Sequence, residues 1–143
     1  MDRFSILLLV ANLGAFALMC VRGGAPERWA VALVLASFLL TPLAQGVVLG
    51  SWRVGVAGVN LALFIALWML AERWGRWWLI AVTGFQLIIL LTHFLPLMTV
   101  THLVNTGVLA RKIFWVGISI FFFVAAWEGW AAKRYRLQER FSQ

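Results

Sequence analysis

The chain has 143 residues, of which 64% are hydrophobic and 12% charged, whereas a soluble domain of this size carries about a quarter charged residues. The apolar residues come in long blocks, which excludes an outer-membrane barrel of short alternating strands and predicts an all-α membrane protein with several spans. The formal charge of +7 resides in short loops and the tail, where membrane topology places basic residues, so no nucleic-acid partner is expected.

The first predicted helix covers residues 4–21, with Asn12 at its centre. It is long for the apolar core of a signal peptide, and no small-x-small cleavage site follows it cleanly, so it is expected to be retained. The only cysteine, Cys20, precludes an intrachain disulfide and lacks the small neighbours of a lipoprotein box. Gly23 and Gly24 permit a tight turn. Pro26 fits the first turn of the next helix, and Glu27 suits its positive end.

The second helix is predicted over 27–48, with Pro42 either kinking it or ending it early. A short turn at 49–53 leads to a third helix over 54–71. Gly55 and Gly58 at its start would let a neighbour approach closely, and Asn60 lies near its middle. After the charged turn Glu72–Arg76, the fourth helix is predicted over 77–95. Thr83, Gln86, Leu90 and His93 share one of its faces by helical spacing. Lipid offers such a polar stripe no partners, so it must face protein or a cavity. Residues 96–112 read as a loop with a short interfacial helix. The fifth helix is predicted over 113–131, rich in Phe121, Phe122 and Phe123, and a basic cytoplasmic tail, 132–143, continues it into water.

Five spans put the termini on opposite sides. Arg3, Arg53, Arg111 and Lys112 fall on one side, and Arg22, Arg28, Arg73, Arg76, Lys133, Arg134, Arg136 and Arg140 on the other. The richer side is cytoplasmic by the positive-inside rule, which places the N-terminus in the periplasm of a bacterial inner membrane. Trp29, Trp74, Trp77, Trp78, Trp127 and Trp130 would form an indole belt at the cytoplasmic edge, with Trp52 and Trp115 marking the other.

At about 1.5 Å per residue, Asn12, Ser37, Asn60, Gln86 and Ser119 all fall roughly 14–18 Å from the cytoplasmic helix ends. They are expected to form an interhelical polar layer, with Asn60 and Gln86 as direct partners across the tight turn joining helices three and four. His93 is the best candidate for chemistry. A buried neutral imidazole can ligate haem iron or the magnesium of bacteriochlorophyll, or bond a quinone carbonyl, with Thr92 and Gln45 in the same layer closer to the outer face and Gln86 from the midplane layer as further candidate contacts. The only other histidine, His102, lies beyond Pro96, so the chain alone does not supply a two-helix haem site. Cys20 lies near the opposite face, and no metal site is expected. The acids Asp2, Glu27, Glu72, Glu128 and Glu139 sit at helix ends or termini. Neither a carboxylate pair nor a phosphate loop or nucleophile motif is present, so no enzyme is expected.

Residues Gly24-Ala25-Pro26-Glu27-Arg28, and Arg76-Trp77-Trp78 leading to Phe85-Gln86-Leu87 and Leu91-Thr92-His93, give the chain a resemblance over 24–45 and 73–95. It resembles a group of small uncharacterised polytopic inner-membrane proteins of Gram-negative bacteria. The resemblance implies a location and a helical fold, and carries no activity. It also implies an acid where this chain has Asn60, a departure that weighs against proton-linked work. Three functions are consistent with the sequence. The first is a non-catalytic accessory or assembly subunit, with membrane lipid and other membrane-protein subunits as partners. The second is an anchor for haem, quinone or bacteriochlorophyll at His93. The third is a small transporter or channel subunit with a wet path along Asn12, Asn60 and Gln86.

Overall fold

Long apolar runs punctuated by glycine and proline fold into five helices in a computed structural model. It describes residues 3–50, 52–94 and 102–141, and side chains within these except 3–5, 102–108, 132, 133 and 135–141. The helices are α1 (Arg3–Arg22), α2 (Ala25–Ala44), α3 (Val54–Trp74), α4 (Trp77–Thr92) and α5 (His102–Phe141). The chain is therefore all-helical among the described residues. By length and composition three segments can cross a membrane, Ala25–Ala44, Val54–Trp74 and Leu109–Ala131, while α1 and α4 supply shorter apolar helices.

The turns follow their local chemistry. Gly23 N–H closes α1 on Met19 O at 2.9 Å. A Cβ at Gly23 would collide with Met19 O and the Glu27 side chain, so only glycine fits. Glu27, expected to suit the positive end of α2, lies buried there and accepts a hydrogen bond from Gly24 N–H at 2.7 Å. This satisfies a donor that the helix start leaves open. Gly75, at φ 58°, ends α3 in the left-handed region, its N–H on Ala71 O at 2.8 Å, a conformation that favours glycine.

Pro42 ends α2 rather than kinking a longer helix. Lacking an N–H, it gives Phe38 O no intrahelical donor. The chain then tightens, with Gln45 N–H on Pro42 O and Val47 N–H on Ala44 O, and α2 stops at Ala44 rather than at 48. Leu49 and Trp52 bond each other in both directions around Gly50, which has φ 61°. Gly55 is needed where this turn folds back, since a Cβ there would strike Ala44 O. A Cβ at Gly58 would meet nothing among the described residues, so no helix of this bundle approaches it closely.

The largest departure from expectation is in α5. Residues 102–112, expected as part of a loop with a short interfacial helix, are the first three turns of a 40-residue helix. At 1.5 Å per residue this helix is about 60 Å long, roughly twice the thickness of a bilayer core. The rest of the expected loop, 96–101 with Pro96, and residue 95, the expected end of the fourth helix, lie outside the described residues, as do the side chains of His102, Lys133, Arg136, Glu139 and Arg140. The helix does continue through the tail to Phe141.

In space the helices form a ring in the order α1, α5, α4, α3, α2, closed by a lighter contact between α2 and α1. The core holds Phe16, Met19, Val34, Leu67, Trp78, Leu79, Val82, Ile89, Ile118 and Phe122, all nearly or fully buried. Aromatic contacts knit α5 to α1, α2 and α4. Phe122 meets Phe16 edge-on at 5.4 Å, Trp115 meets Phe38 at 5.1 Å, and Phe121 meets Phe85 at 5.7 Å. Gly117 makes room for the Phe85 ring, whose atoms lie 3.1–3.3 Å from where a Cβ would sit. Of the three consecutive phenylalanines, Phe122 is fully buried and only Phe123 faces outward, at 40% exposure.

Candidate functional site

The candidate polar layer resolves into two separate pairs and one isolated hydroxyl. Between α3 and α4, Gln86 Nε2 donates to Asn60 Oδ1 at 3.0 Å, and Asn60 Nδ2 donates to Val56 O one turn back at 2.9 Å. The second bond fixes which end of the Asn60 amide points at Gln86. Gln86 is fully buried, and its Oε1 has no partner among the described residues. Between α1 and α5, Asn12 Nδ2 donates to Leu8 O at 2.8 Å. Ser119 Oγ lies 3.1 Å from Asn12 Oδ1 and 2.7 Å from Trp115 O, so its single proton serves one of the two. Ser37 belongs to neither pair, because its hydroxyl bonds Val34 O within α2. Thr41, Thr83 and Thr92 likewise bond carbonyls of their own helices, the usual outlet for a hydroxyl in a helix.

His93 sits one residue beyond α4, as its C-cap, half-buried. Its Nδ1 lies 2.9 Å from Ile89 O. A carbonyl only accepts, so this contact places the ring proton on Nδ1 and makes Nε2 the acceptor. Burial holds the imidazole below its ordinary pKa of 6.5. The bond to Ile89 O opposes that shift, and the charge of Arg111 adds to it. The His93 carbonyl accepts from the Trp52 indole at 2.9 Å, and Phe94 packs on the Trp52 ring at 5.6 Å. Thus the 49–53 turn, the end of α4 and the Arg111 stretch of α5 meet at one end of the bundle.

The four residues proposed around a cofactor are dispersed. Gln86 lies two helical turns from His93 and is committed to Asn60. Thr92 is buried and bonded to Ile89 O at 2.6 Å. Gln45 is exposed at the end of α2. Among the described residues no three of His, Cys, Asp and Glu gather in a metal-binding arrangement.

At the opposite end, Glu128 of α5 accepts from Arg76 at 2.6 Å and from the Trp77 indole at 3.0 Å. Sequence reasoning left Glu128 unpaired, because the contact spans 52 residues. Gly129 lies against the α1–α2 turn, 3.3 Å from its would-be Cβ to Gly23 Cα. Trp78, expected in the interfacial belt, is fully buried instead, with an indole N–H that has no partner among the described residues. It lies on one helical face with Val82 and Gln86, four residues apart in each step, and this face points into the bundle. Trp29, Trp77 and Trp127 remain well exposed.

No family model, curated protein or solved structure matches this chain.

Proposed function

We propose that this protein is a five-span, non-catalytic subunit of a bacterial inner membrane, serving the assembly or support of a larger membrane complex. The observation that carries the membrane reading is an apolar outer surface around a packed core. Leu7, Leu39, Leu43, Met69 and Ile80, one or more from each of α1–α4, are 62–79% exposed. A soluble protein seldom exposes a continuous apolar patch of this extent. The two shorter helices cross by association. α4 begins beside Glu128 and ends beside Trp52, so it runs the depth between the two ends of the bundle. The basic end, with Arg22, Arg28, Arg73 and Arg76, faces the cytoplasm on the positive-inside rule, which leaves the N-terminus periplasmic.

The accessory role is supported by what the interior contains. The buried amides and hydroxyls bond one another or their own helices, and among the described residues no titratable group joins them. An open groove of about 510 Å³ runs between α2 and α3. Gly58, Ala62 and Ala66 lie along it four residues apart, the spacing at which small residues let membrane helices approach. The resemblance over 24–45 and 73–95 points to the same membrane. The test is mass measurement of the protein extracted from native membranes in mild detergent. A particle well above one 16.1 kDa chain plus its micelle, with other subunits in fixed ratio, is expected. An isolated chain at native expression would overturn the accessory role.

A second reading, an anchor for haem, quinone or bacteriochlorophyll, is favoured by one feature. The His93 ring is held through Nδ1, which orients Nε2 as a potential ligand. A visible spectrum of the gently purified protein tests it. A Soret or bacteriochlorophyll band lost in His93→Ala would support this reading, and a colourless wild type would remove the pigments.

A further inference from the structure

We propose that the groove between α1 and α5 at the Arg22 end of the bundle binds one anionic phospholipid. The proposal rests on the membrane reading above. The groove, about 250 Å³, is lined by Leu18, Arg22, Phe123, Ala126, Trp127 and Trp130. Leu18 and Arg22 are one turn apart on α1. Phe123, Ala126, Trp127 and Trp130 recur at three, four and seven residues on α5, so each set shares a face. Both helices run outward here, since the α1–α2 turn touches Gly129. Leu18, Phe123 and Ala126 therefore form the deeper, apolar part, and Arg22 and Trp130 the rim.

The rim is cationic. The Arg134 guanidinium lies over the Trp130 ring, 5.2 Å from its centroid, a distance at which cation and indole attract. Arg22 lines the groove on the α1 side, and Arg134 caps the indole that lines it on the α5 side. Among the described residues the nearby acids are committed elsewhere. Glu128 is held by Arg76 and Trp77 on the α4 side, and Glu27 is buried against Gly24 N–H. A site that is apolar at depth and doubly cationic at the rim complements an acyl chain attached to a phosphodiester. Two guanidiniums attract the net charge of an anionic headgroup and repel the ammonium of a zwitterionic one. Basic pockets between helices on the cytoplasmic side recognise lipid in this way. The exposed indole of Trp127 suits the same boundary.

The test is native mass spectrometry of the full chain in detergent, offered equal amounts of phosphatidylglycerol and phosphatidylcholine with identical acyl chains. Wild type should retain one phosphatidylglycerol with a preference of roughly 30-fold, the factor two surface arginines supply. Arg22→Gln together with Arg134→Gln should bring the two lipids to parity, and Arg53→Gln at the opposite end should leave the preference unchanged. Both replaced side chains are exposed, and circular dichroism verifies the fold of the double variant. A second measurement uses wild type and Trp127→Phe. Brominated phosphatidylglycerol should quench wild-type fluorescence more than brominated phosphatidylcholine does, and the excess should shrink in the variant. Equal retention of both lipids by wild type, or a preference that survives in the double variant, would overturn the site. A chain that retains neither lipid and stays in solution without detergent would overturn the membrane reading instead.

Discussion

The Asn60–Gln86 pair predicts an asymmetry between two similar-looking substitutions. Gln86→Leu removes one interhelical hydrogen bond, which within a membrane is typically worth about 0.6 kcal/mol and up to about 1.7. It also removes the buried, unpartnered Oε1, and relief of such a group returns about 1–3 kcal/mol. The two effects oppose each other, and leucine has a similar volume, so the net change should fall within about 1 kcal/mol of zero. Asn60 loses little, since it is only half-buried and keeps its bond to Val56 O. Asn60→Leu acts differently. It takes the good acceptor from Gln86 Nε2, leaving only Asn60 O at 3.4 Å, and the carbonyl end stays bare in a fully buried site. The cost should be about 1–3 kcal/mol. In the Gln86→Leu background the same Asn60→Leu change should cost almost nothing. Reversible unfolding in mixed micelles, followed by tryptophan fluorescence, measures all four corners of this cycle. A Gln86→Leu cost above about 2 kcal/mol with a neutral Asn60→Leu would refute the reasoning, and would show that the Gln86 carbonyl has a partner of its own.

Other expectations are more direct. Gly129→Leu should drive the α1–α2 turn from α5 and cost about 1–3 kcal/mol, read in the same unfolding assay; Gly58→Ala, where a Cβ meets nothing, is the matched neutral change. His93 should make stability fall as pH drops. Its folded pKa lies below the unfolded 6.5, so the unfolded chain takes up the proton first and the stabilisation, complete above 6.5, is lost as pH falls through the folded value; His93→Gln should flatten the melting profile over that window. A C-terminal fluorescent reporter should be active in the cytoplasm and a C-terminal alkaline phosphatase inactive; the reverse result would invert the orientation.

Much of the helix map was legible because glycine and proline punctuate the chain where backbone geometry needs them. Gly23, Pro26 and Gly75 each mark a helix boundary for a reason visible in the sequence. The Asn60–Gln86 bond was legible too, since a tight turn places equal depths on two helices opposite each other. The Asn12–Ser119 bond was legible only as shared depth. Choosing partners among five helices requires the ring order, and that order comes from packing, such as Phe16 on Phe122. The start of α5 was missed because 102–112 is too polar and β-branched to read as a span, yet no proline interrupts it after Pro96. Trp78 was misread as an anchor because an indole beside a basic turn fits either role. Its signal was the four-residue spacing to Val82 and Gln86, which put it on the inward face.

The distribution of polar bonds says how the bundle is held. Only two amide-bearing pairs cross between helices at mid-depth, one from α3 to α4 and one from α1 to α5, and neither joins the other among the described residues. A wet path would need Asn12, Asn60 and Gln86 in one connected lumen. Around these groups lie Phe16, Leu67, Val82, Ile89, Ile118 and Phe122, each at 4% exposure or less. Close packing of such side chains leaves few voids large enough for water. The glycines serve the same end, because Gly117 and Gly129 exist to admit a ring and a turn. A bundle that commits most of its described polar side chains to bonds within itself leaves its outer apolar surface for interaction, the feature on which the proposed accessory role rests.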